Sequence, residues 1–229
     1  MTTEVPLRRA VTRARAVAFR DGARAEREDH LATEEPMEIR VAGPGETARP
    51  VAVTMRTPGH DFELAAGFLW SEGLVDDRRA IRAVRYCDDL APDEQHYNVV
   101  TVELATSSEG VGARGFAVAS SCGICGKAAL DDVKVRCAPL GPGPRIAAEV
   151  LASLPDRLRE GQAVFERTGG LHAAGHFAPD GTLVALREDV GRHNAVDKVV
   201  GRALLAGDLP LADAVLQVSG RVSFEIVQK

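Results

Sequence analysis

The sequence predicts a layered α/β protein, and three observations carry that prediction. The second half alternates hairpin, helix, strand and helix, the order of a sheet with helices laid on it. Hydrophobic residues make up 45% of the 229, ample for a buried core in one large domain or two small ones. The four cysteines are too few for a disulfide scaffold in a chain of this length.

In chain order, residues 1–34 are rich in Arg, Ala and Glu with little apolar patterning. They read as a largely flexible arm in which 16–20 could pair as a strand. Residues 37–41 and 51–55 flank a Gly-Pro-Gly turn and read as a hairpin. Over 60–74, Phe62, Ala65, Ala66, Leu69 and Trp70 recur at helical spacing, with Gly59 or Asp61 at the start and Gly73 at the end. Residues 81–86 and 97–104 alternate like strands. A Cys-x-x-Cys segment and a helix-like run over 127–136 come next. The linker Leu140-Gly-Pro-Gly-Pro144 then separates a smaller N-terminal β-rich part, 35–139, from an α/β part, 140–229.

The second part opens with two short helical stretches over 146–165, interrupted at Pro155. Residues 170–177 and 182–187 flank Ala-Pro-Asp-Gly, good turn chemistry for a hairpin. A helix is expected over 194–205, with the apolar stripe Val196, Val199, Val200, Ala203, Leu204 and a stop at Gly207. Residues 214–218 read as a short buried strand. Ser219-Gly220-Arg221 turns it into a helix that is still running at Lys229, which reads as a C-terminal truncation.

A net charge of −5 disfavours a general nucleic-acid binder, which usually carries a basic face. No apolar run approaches a membrane span, and the start Met-Thr-Thr-Glu-Val-Pro has no apolar signal core. The expectation is a cytoplasmic protein that meets neither membrane nor nucleic acid.

The most chemistry-like segment is Ser121-Cys-Gly-Ile-Cys-Gly-Lys127. Thiolate is the nucleophilic and metal-binding form of cysteine. Two glycines leave the sulfurs of Cys122 and Cys125 uncrowded, Lys127 favours negative charge, and a helix N-terminus just beyond would do the same. Three chemistries fit. Structural zinc wants four ligands, yet Cys87 and Cys137 stand alone and read as packing residues. A thioredoxin-like dithiol would have Trp-Cys-x-x-Cys-type neighbours, and none are present. A sulfur carrier holding a persulfide is the third. A buried, inert pair is the plain alternative, made less attractive by the glycines and Lys127.

Arg187-Glu-Asp-Val-Gly-Arg-His-Asn-Ala-Val-Asp-Lys198 packs Glu188, Asp189, Arg192, His193, Asn194, Asp197 and Lys198 into a helix entrance, where backbone N–H groups attract anions. Arg192 could fork onto a phosphate and Lys198 could add a point charge. A solvated turn with Asn194 as the cap is the plain reading, and it explains the Arg-His pair less well. Gly169 and Gly170 allow close approach of a ligand or another backbone, while His172 alone is most often a satisfied core histidine. The turn Ser219-Gly220-Arg221 is of the kind that holds phosphates, though no full phosphate-loop pattern is present. A zinc nucleoside deaminase is disfavoured: there is no H-x-E, and Ser121 rather than Pro precedes the cysteine pair.

Taken together, the chain from about Met37 to Lys229 resembles the FdhD family of formate dehydrogenase accessory sulfurtransferases. The resemblance rests on Arg56-Thr-Pro-Gly-His-Asp61, Gly67-Phe-Leu, the Cys-x-x-Cys segment, Thr168-Gly-Gly-Leu-His172, the 187–198 run and Ser219-Gly-Arg-Val-Ser-Phe-Glu225. It implies a cytidine-deaminase-like layered fold without catalytic zinc or a structural metal, and a homodimer. It also implies that sulfur is taken from a cysteine desulfurase as a persulfide. That sulfur is then passed to the molybdenum of a bis(molybdopterin guanine dinucleotide) cofactor that formate dehydrogenase needs. By motif position Cys122 is the carrier and Cys125 its helper. Gly169, Gly170, His172, Asp189, Arg192, His193, Asn194, Lys198, Ser219, Gly220 and Arg221 are the expected cofactor contacts, with a guanine nucleotide as a mimic of the cargo. The rival functions are a non-catalytic cofactor chaperone for formate dehydrogenase and a structural zinc protein.

Overall fold

The computed structural model describes residues 10–87, 96–109, 111, 116–118 and 141–229. The helix-like run expected over 127–136 lies outside them. From residue 10 onward the expected flexible arm is instead a hairpin of β1 (Val11–Arg20) and β2 (Ala23–Ala32). Asp21 and Gly22 both have positive φ, 52° and 78°, and Arg20 stands opposite Ala23. This two-residue Asp-Gly turn twists in the sense that flanking strands need, and it outweighs the weak apolar patterning.

A five-stranded sheet follows, in the order β5-β6-β3-β4-β7. Its strands are β3 (Glu35–Ala42), β4 (Arg49–Arg56), β5 (Ile81–Tyr86), β6 (Val99–Leu104) and β7 (Phe116–Val118). β3 and β4 form the expected antiparallel hairpin; β6 joins β3 and β7 joins β4, both in parallel. Met37, Ile39, Val41, Val51, Val100 and Val102 alternate onto one face. Helix α1 (Asp61–Ser71) covers that face with Leu64, Ala65, Phe68 and Leu69.

The second sheet is antiparallel, in the order β10-β8-β9, from β8 (His172–Phe177), β9 (Leu183–Asp189) and β10 (Val215–Val218). Ala174 points to helix α4 (Arg192–Ala206), joining Ala195, Val196 and Val199. Ala173 and Phe177 point the other way, onto Leu154 and Leu158 of α2 (Ala148–Gly161). Helix α2 runs through Pro155 rather than stopping there. Leu154 and Leu158 are buried while Pro155 faces solvent, so water can take the carbonyl that the missing N–H leaves open. The break comes at Gln162, before α3 (Ala163–Thr168). The last element is the short helix α5 (Phe224–Gln228).

The two sheets are joined through α1 and α4, which meet backbone to backbone. A Cβ on Gly67 would lie 1.8 Å from the Asp197 carbonyl oxygen, and one on Gly201 would lie 1.8 Å from that of Glu63. Neither clash is with a flexible side chain, so no rotamer relieves it. Gly67→Ala and Gly201→Ala should each lose about 3 kcal/mol or more, because overpacking a rigid contact forces the helices apart. Urea midpoints measure this, with Gly141→Ala, whose Cβ would meet nothing within 4 Å, as the unaffected control.

Candidate functional site

At the junction of β9 and α4 the chain buries a lysine and an aspartate together. Asp189 and Lys198 are 0% and 1% exposed, with Lys198 Nζ 2.6 Å from Asp189 Oδ2. The other carboxylate oxygen accepts from the Gly191 N–H at 2.9 Å and Asn194 Nδ2 at 2.9 Å, and Oδ2 also accepts from the Thr57 N–H at 3.1 Å. Lys198 donates further to the carbonyls of Thr57, at 2.9 Å, and Glu188, at 3.3 Å. An ammonium has three donors, and these three acceptors occupy them, so none is left for a phosphate. The expected direct contacts from Lys198 and Asp189 are therefore corrected: both act from behind the site.

Asn194 is corrected in the same way. Gly191 occupies the capping position of α4, and Asn194 sits inside the first turn. Its amide donates to the Met55 carbonyl at 2.7 Å, and the Thr54 hydroxyl lies 3.3 Å from its Oδ1. Asn194 and Lys198, four apart on one helix face, thus hold α4 to the end of β4. Glu188 caps α3, accepting from the N–H groups of Val164 and Phe165 at 2.9 and 2.7 Å.

In front of this network, His172, Arg192, His193, Ser219 and Gly220 do come together. The Ser219 hydroxyl accepts from the Ala173 N–H at 2.9 Å, fixing the turn after β10 to the start of β8. A Cβ on Gly220 would lie 3.1 Å from Arg192 Cδ and 3.5 Å from His172 Nδ1, so this glycine permits the close approach. Arg192 opens α4, where the backbone N–H groups carry partial positive charge. His193 is 7% exposed, and its Nε2 has no hydrogen-bond partner. Burial pushes its imidazole down to about 4, and the Arg192 guanidinium adds to the effect. Burial and then Arg192 also lower His172. Positive charge at the site therefore comes from Arg192 and the helix end, beside two neutral imidazoles.

Gly169 and Gly170 stand apart. Gly169 ends α3 with φ 68°, the left-handed cap that glycine favours. Gly170 approaches β2, where an added Cβ would lie 3.2 Å from Ala32 Cβ. Arg221 is exposed on the turn itself. Cys122, Cys125 and Cys137 lie outside the described residues. The chain is last described before the pair at Val118, beside Thr54. Cys87 is half-buried after β5, consistent with a packing residue.

Sequence reasoning missed a second polar cluster. Arg56, 1% exposed, donates to both carboxylate oxygens of Asp61, at 3.2 and 2.9 Å, and to Glu35 at 3.2 Å. Arg187 forks onto Glu63 at 2.5 and 2.7 Å. His60, at φ 56°, stands between these pairs and lies 3.4 Å from Glu63. The available signal was Arg56 and Asp61 on either side of a Pro-Gly turn, with His60 just inside it. Farther along α4, Asp197 is fully buried with Lys229 at 2.7 Å and the Ser71 hydroxyl donating at 2.7 Å. Burial raises this carboxyl, and Lys229 pulls it back.

Fold and site together define an α/β protein with three sheets among the described residues and a cationic helix end backed by a buried ion pair. Residues 32–229 match the FdhD/NarQ family, and the chain belongs to that family. It is 51% identical over 228 residues to the sulfur carrier protein FdhD of Streptomyces coelicolor, spanning 96% of this chain and 79% of that one. Identity to the protein of that name from Mycobacterium tuberculosis is 50%, over 89% of this chain and 75% of the relative. With that of Sulfolobus acidocaldarius it is 41%, over 92% and 76%. A crystal structure from Desulfotalea psychrophila, ascribed a formate dehydrogenase accessory role, shares the fold with TM-score 0.68 at 24% identity, over 97% of this chain and 78% of that one.

Two outcomes follow from the buried groups. Lys198→Met strands the Asp189 carboxylate and should cost about 3–5 kcal/mol in a urea titration at pH 7. The folded His193 imidazole titrates at about 4, below its unfolded value of about 6.5. The unfolded chain therefore binds the extra proton between those values, and His193 withdraws stability as pH falls through that window. Urea midpoints across it should fall less steeply for His193→Gln than for wild type.

Proposed function

We propose that the protein is a sulfur carrier that delivers sulfur to a nucleotide-bearing molybdenum cofactor for formate dehydrogenase. The observation that carries this reading is the convergence of His172, Arg192 and Gly220 at the N-terminus of α4, in a chain whose relatives are named sulfur carrier proteins. The cargo carries several phosphates and the chain is net −5, so local cationic contacts must hold it. Arg192 is the phosphate clamp in this reading. The N–H groups of the first turn of α4 assist, and His172 and His193 supply uncharged hydrogen-bonding nitrogens.

The sulfur step uses Cys122. A cysteine desulfurase presents a persulfide, the Cys122 thiolate attacks its outer sulfur, and the desulfurase departs as a thiolate. The sulfur then passes to molybdenum, with Cys125 able to displace it by closing a disulfide. The cytidine-deaminase-like layering belongs to the same reading, supported by a three-stranded sheet that carries α4 on one face and α2 on the other. So do a cytoplasmic location and a homodimer; no helix among the described residues is long and apolar enough to cross a membrane.

Incubation with a cysteine desulfurase and cysteine should add one sulfur to the intact mass, and Cys122→Ser should abolish the gain. A gain that survives in that variant removes Cys122 from the role. Formate dehydrogenase activation retained by the double Cys122→Ser, Cys125→Ser variant would instead select a chaperone. Arg192→Ala should weaken guanosine diphosphate binding by about tenfold or more in calorimetry, the worth of a hydrogen bond to a charged group. Unchanged affinity counts against the pocket.

A further inference from the structure

Away from the entrance of α4, a cavity of about 780 Å³ opens where the foot of the β1–β2 hairpin, the start of β3 and helix α3 meet. Two other cavities hold about 250 and 240 Å³. Small-molecule sites occupy roughly 300–1,000 Å³, so of these three only the first has the size of one. Its walls are fixed without a ligand. The Thr33 N–H donates to the Ala10 carbonyl at 3.0 Å, which closes the foot of the hairpin. Glu188 of β9 accepts from the N–H groups of Val164 and Phe165, which holds α3 in place.

The lining presents hydrogen-bond donors that the fold does not use. Arg167, in the last turn of α3, is exposed and makes no hydrogen bond or ion pair among the described residues. Arg13 has Glu28 at 3.8 Å, too long for a hydrogen bond. The hydroxyls of Thr12 and Thr33 lie 2.8 Å apart. That pair owns two protons and its mutual bond uses one, so one hydroxyl donor is left over. Glu35 is the acidic residue of the lining, and the buried Arg56 donates to it at 3.2 Å. Val11 and Val164 give the lining its apolar part.

These features select a kind of ligand. Two guanidiniums and a spare hydroxyl suit a negatively charged acceptor, since charge-assisted hydrogen bonds are the strong ones. The valines suit a carbon chain beside it. Glu35 opposes a dense charge: a polyphosphate would set several negative oxygens near its carboxylate, whereas a single acid group meets the arginines alone.

We propose that this cavity is a second ligand site, which takes an organic molecule with one acid group, a carboxylate or a phosphate monoester, on an apolar chain. The acid group meets Arg167, Arg13 and the spare threonine hydroxyl, and the chain lies along Val11 and Val164. The site does not depend on the sulfur-carrier reading.

Calorimetry of the full chain in low-salt buffer tests this, with octanoate, octyl phosphate and 1-octanol as probes. At least one of the two acids should bind saturably, and the tighter of them identifies the acid group. 1-Octanol should bind about tenfold or more weakly, because it lacks the charge. Arg167→Ala should weaken the acid probe by about tenfold, the worth of a hydrogen bond to a charged group. Arg167 bonds to nothing in the fold, so this variant should keep the wild-type melting midpoint. Guanosine diphosphate in excess should leave the acid probe bound. No saturable binding by either acid overturns the proposal. So does 1-octanol that binds as tightly as the acids, equal affinity in wild type and Arg167→Ala, or displacement by guanosine diphosphate. None of these results bears on sulfur loading, so the carrier reading stands or falls separately.

Discussion

The contact on which the rest of the molecule depends is the one between Gly67 and Gly201. It brings the backbones of α1 and α4 to a distance that no side chain permits. Each helix carries its own sheet, so this approach sets the spacing of the two halves. It also brings polar side chains from one half within hydrogen-bond reach of the other. Ser71 reaches Asp197, Arg187 reaches Glu63, and Thr57 reaches Asp189 and Lys198. A wider helix pair would leave those groups buried and unpaired, a penalty of about 1–3 kcal/mol for each neutral group and more for charged ones. The glycines and the ion pairs therefore stand or fall together.

A buried ion pair is weak evidence for stability, because desolvation offsets most of its attraction. Its value here is positional. Asp189 accepts from three elements at once: the turn before α4, the first turns of α4 itself, and the loop after β4. An apolar pair of similar volume would pack but would not fix those backbones against one another. The consequence for the candidate site is that Arg192 stands on a helix end whose position is set by other side chains. The same accounting explains how an acidic chain presents a cationic spot. Lys198 is neutralised internally, so the local field at the mouth comes from Arg192 and the helix end.

Much of the architecture was legible because it rests on local periodicity. The hairpins around Gly-Pro-Gly and Ala-Pro-Asp-Gly, the stripe on α4 and its stop at Gly207 were all read from spacing and turn chemistry. The β1–β2 hairpin was missed because its strands carry charges in place of an alternating apolar face, although Asp21-Gly22 announced the turn. Helix α2 was cut at Pro155 because the rule about proline in helices assumes that the freed carbonyl has no other partner; on a solvent-facing turn it has water. The run 187–198 reads as dense in charged and polar groups, and from sequence Asp189, Arg192, Asn194 and Lys198 alike read as facing a ligand. Spacing alone cannot say whether a lysine meets a phosphate or a carboxylate. Asp189 comes from the strand that precedes α4, and Thr57 lies more than a hundred residues away, so the inward pairing became visible only in three dimensions.

That pairing also turns β4 into a ruler. Thr54 bonds Asn194 in the first turn of α4, and Thr57 bonds Lys198 one turn later. Three residues of strand advance about 10 Å. Four residues of helix advance about 6 Å, so strand and helix cross at an angle rather than run side by side. Arg192 lies before the first of these bonds and His60 beyond the second. Their separation is consequently set by two buried hydrogen bonds and by the short loop 57–60 that follows β4. A substitution that shifts α4 along β4 would move Arg192 and the loop that carries His60 relative to one another. The motif positions 56–61 and 187–198 therefore form one mechanical unit, although in sequence they lie in different halves of the chain.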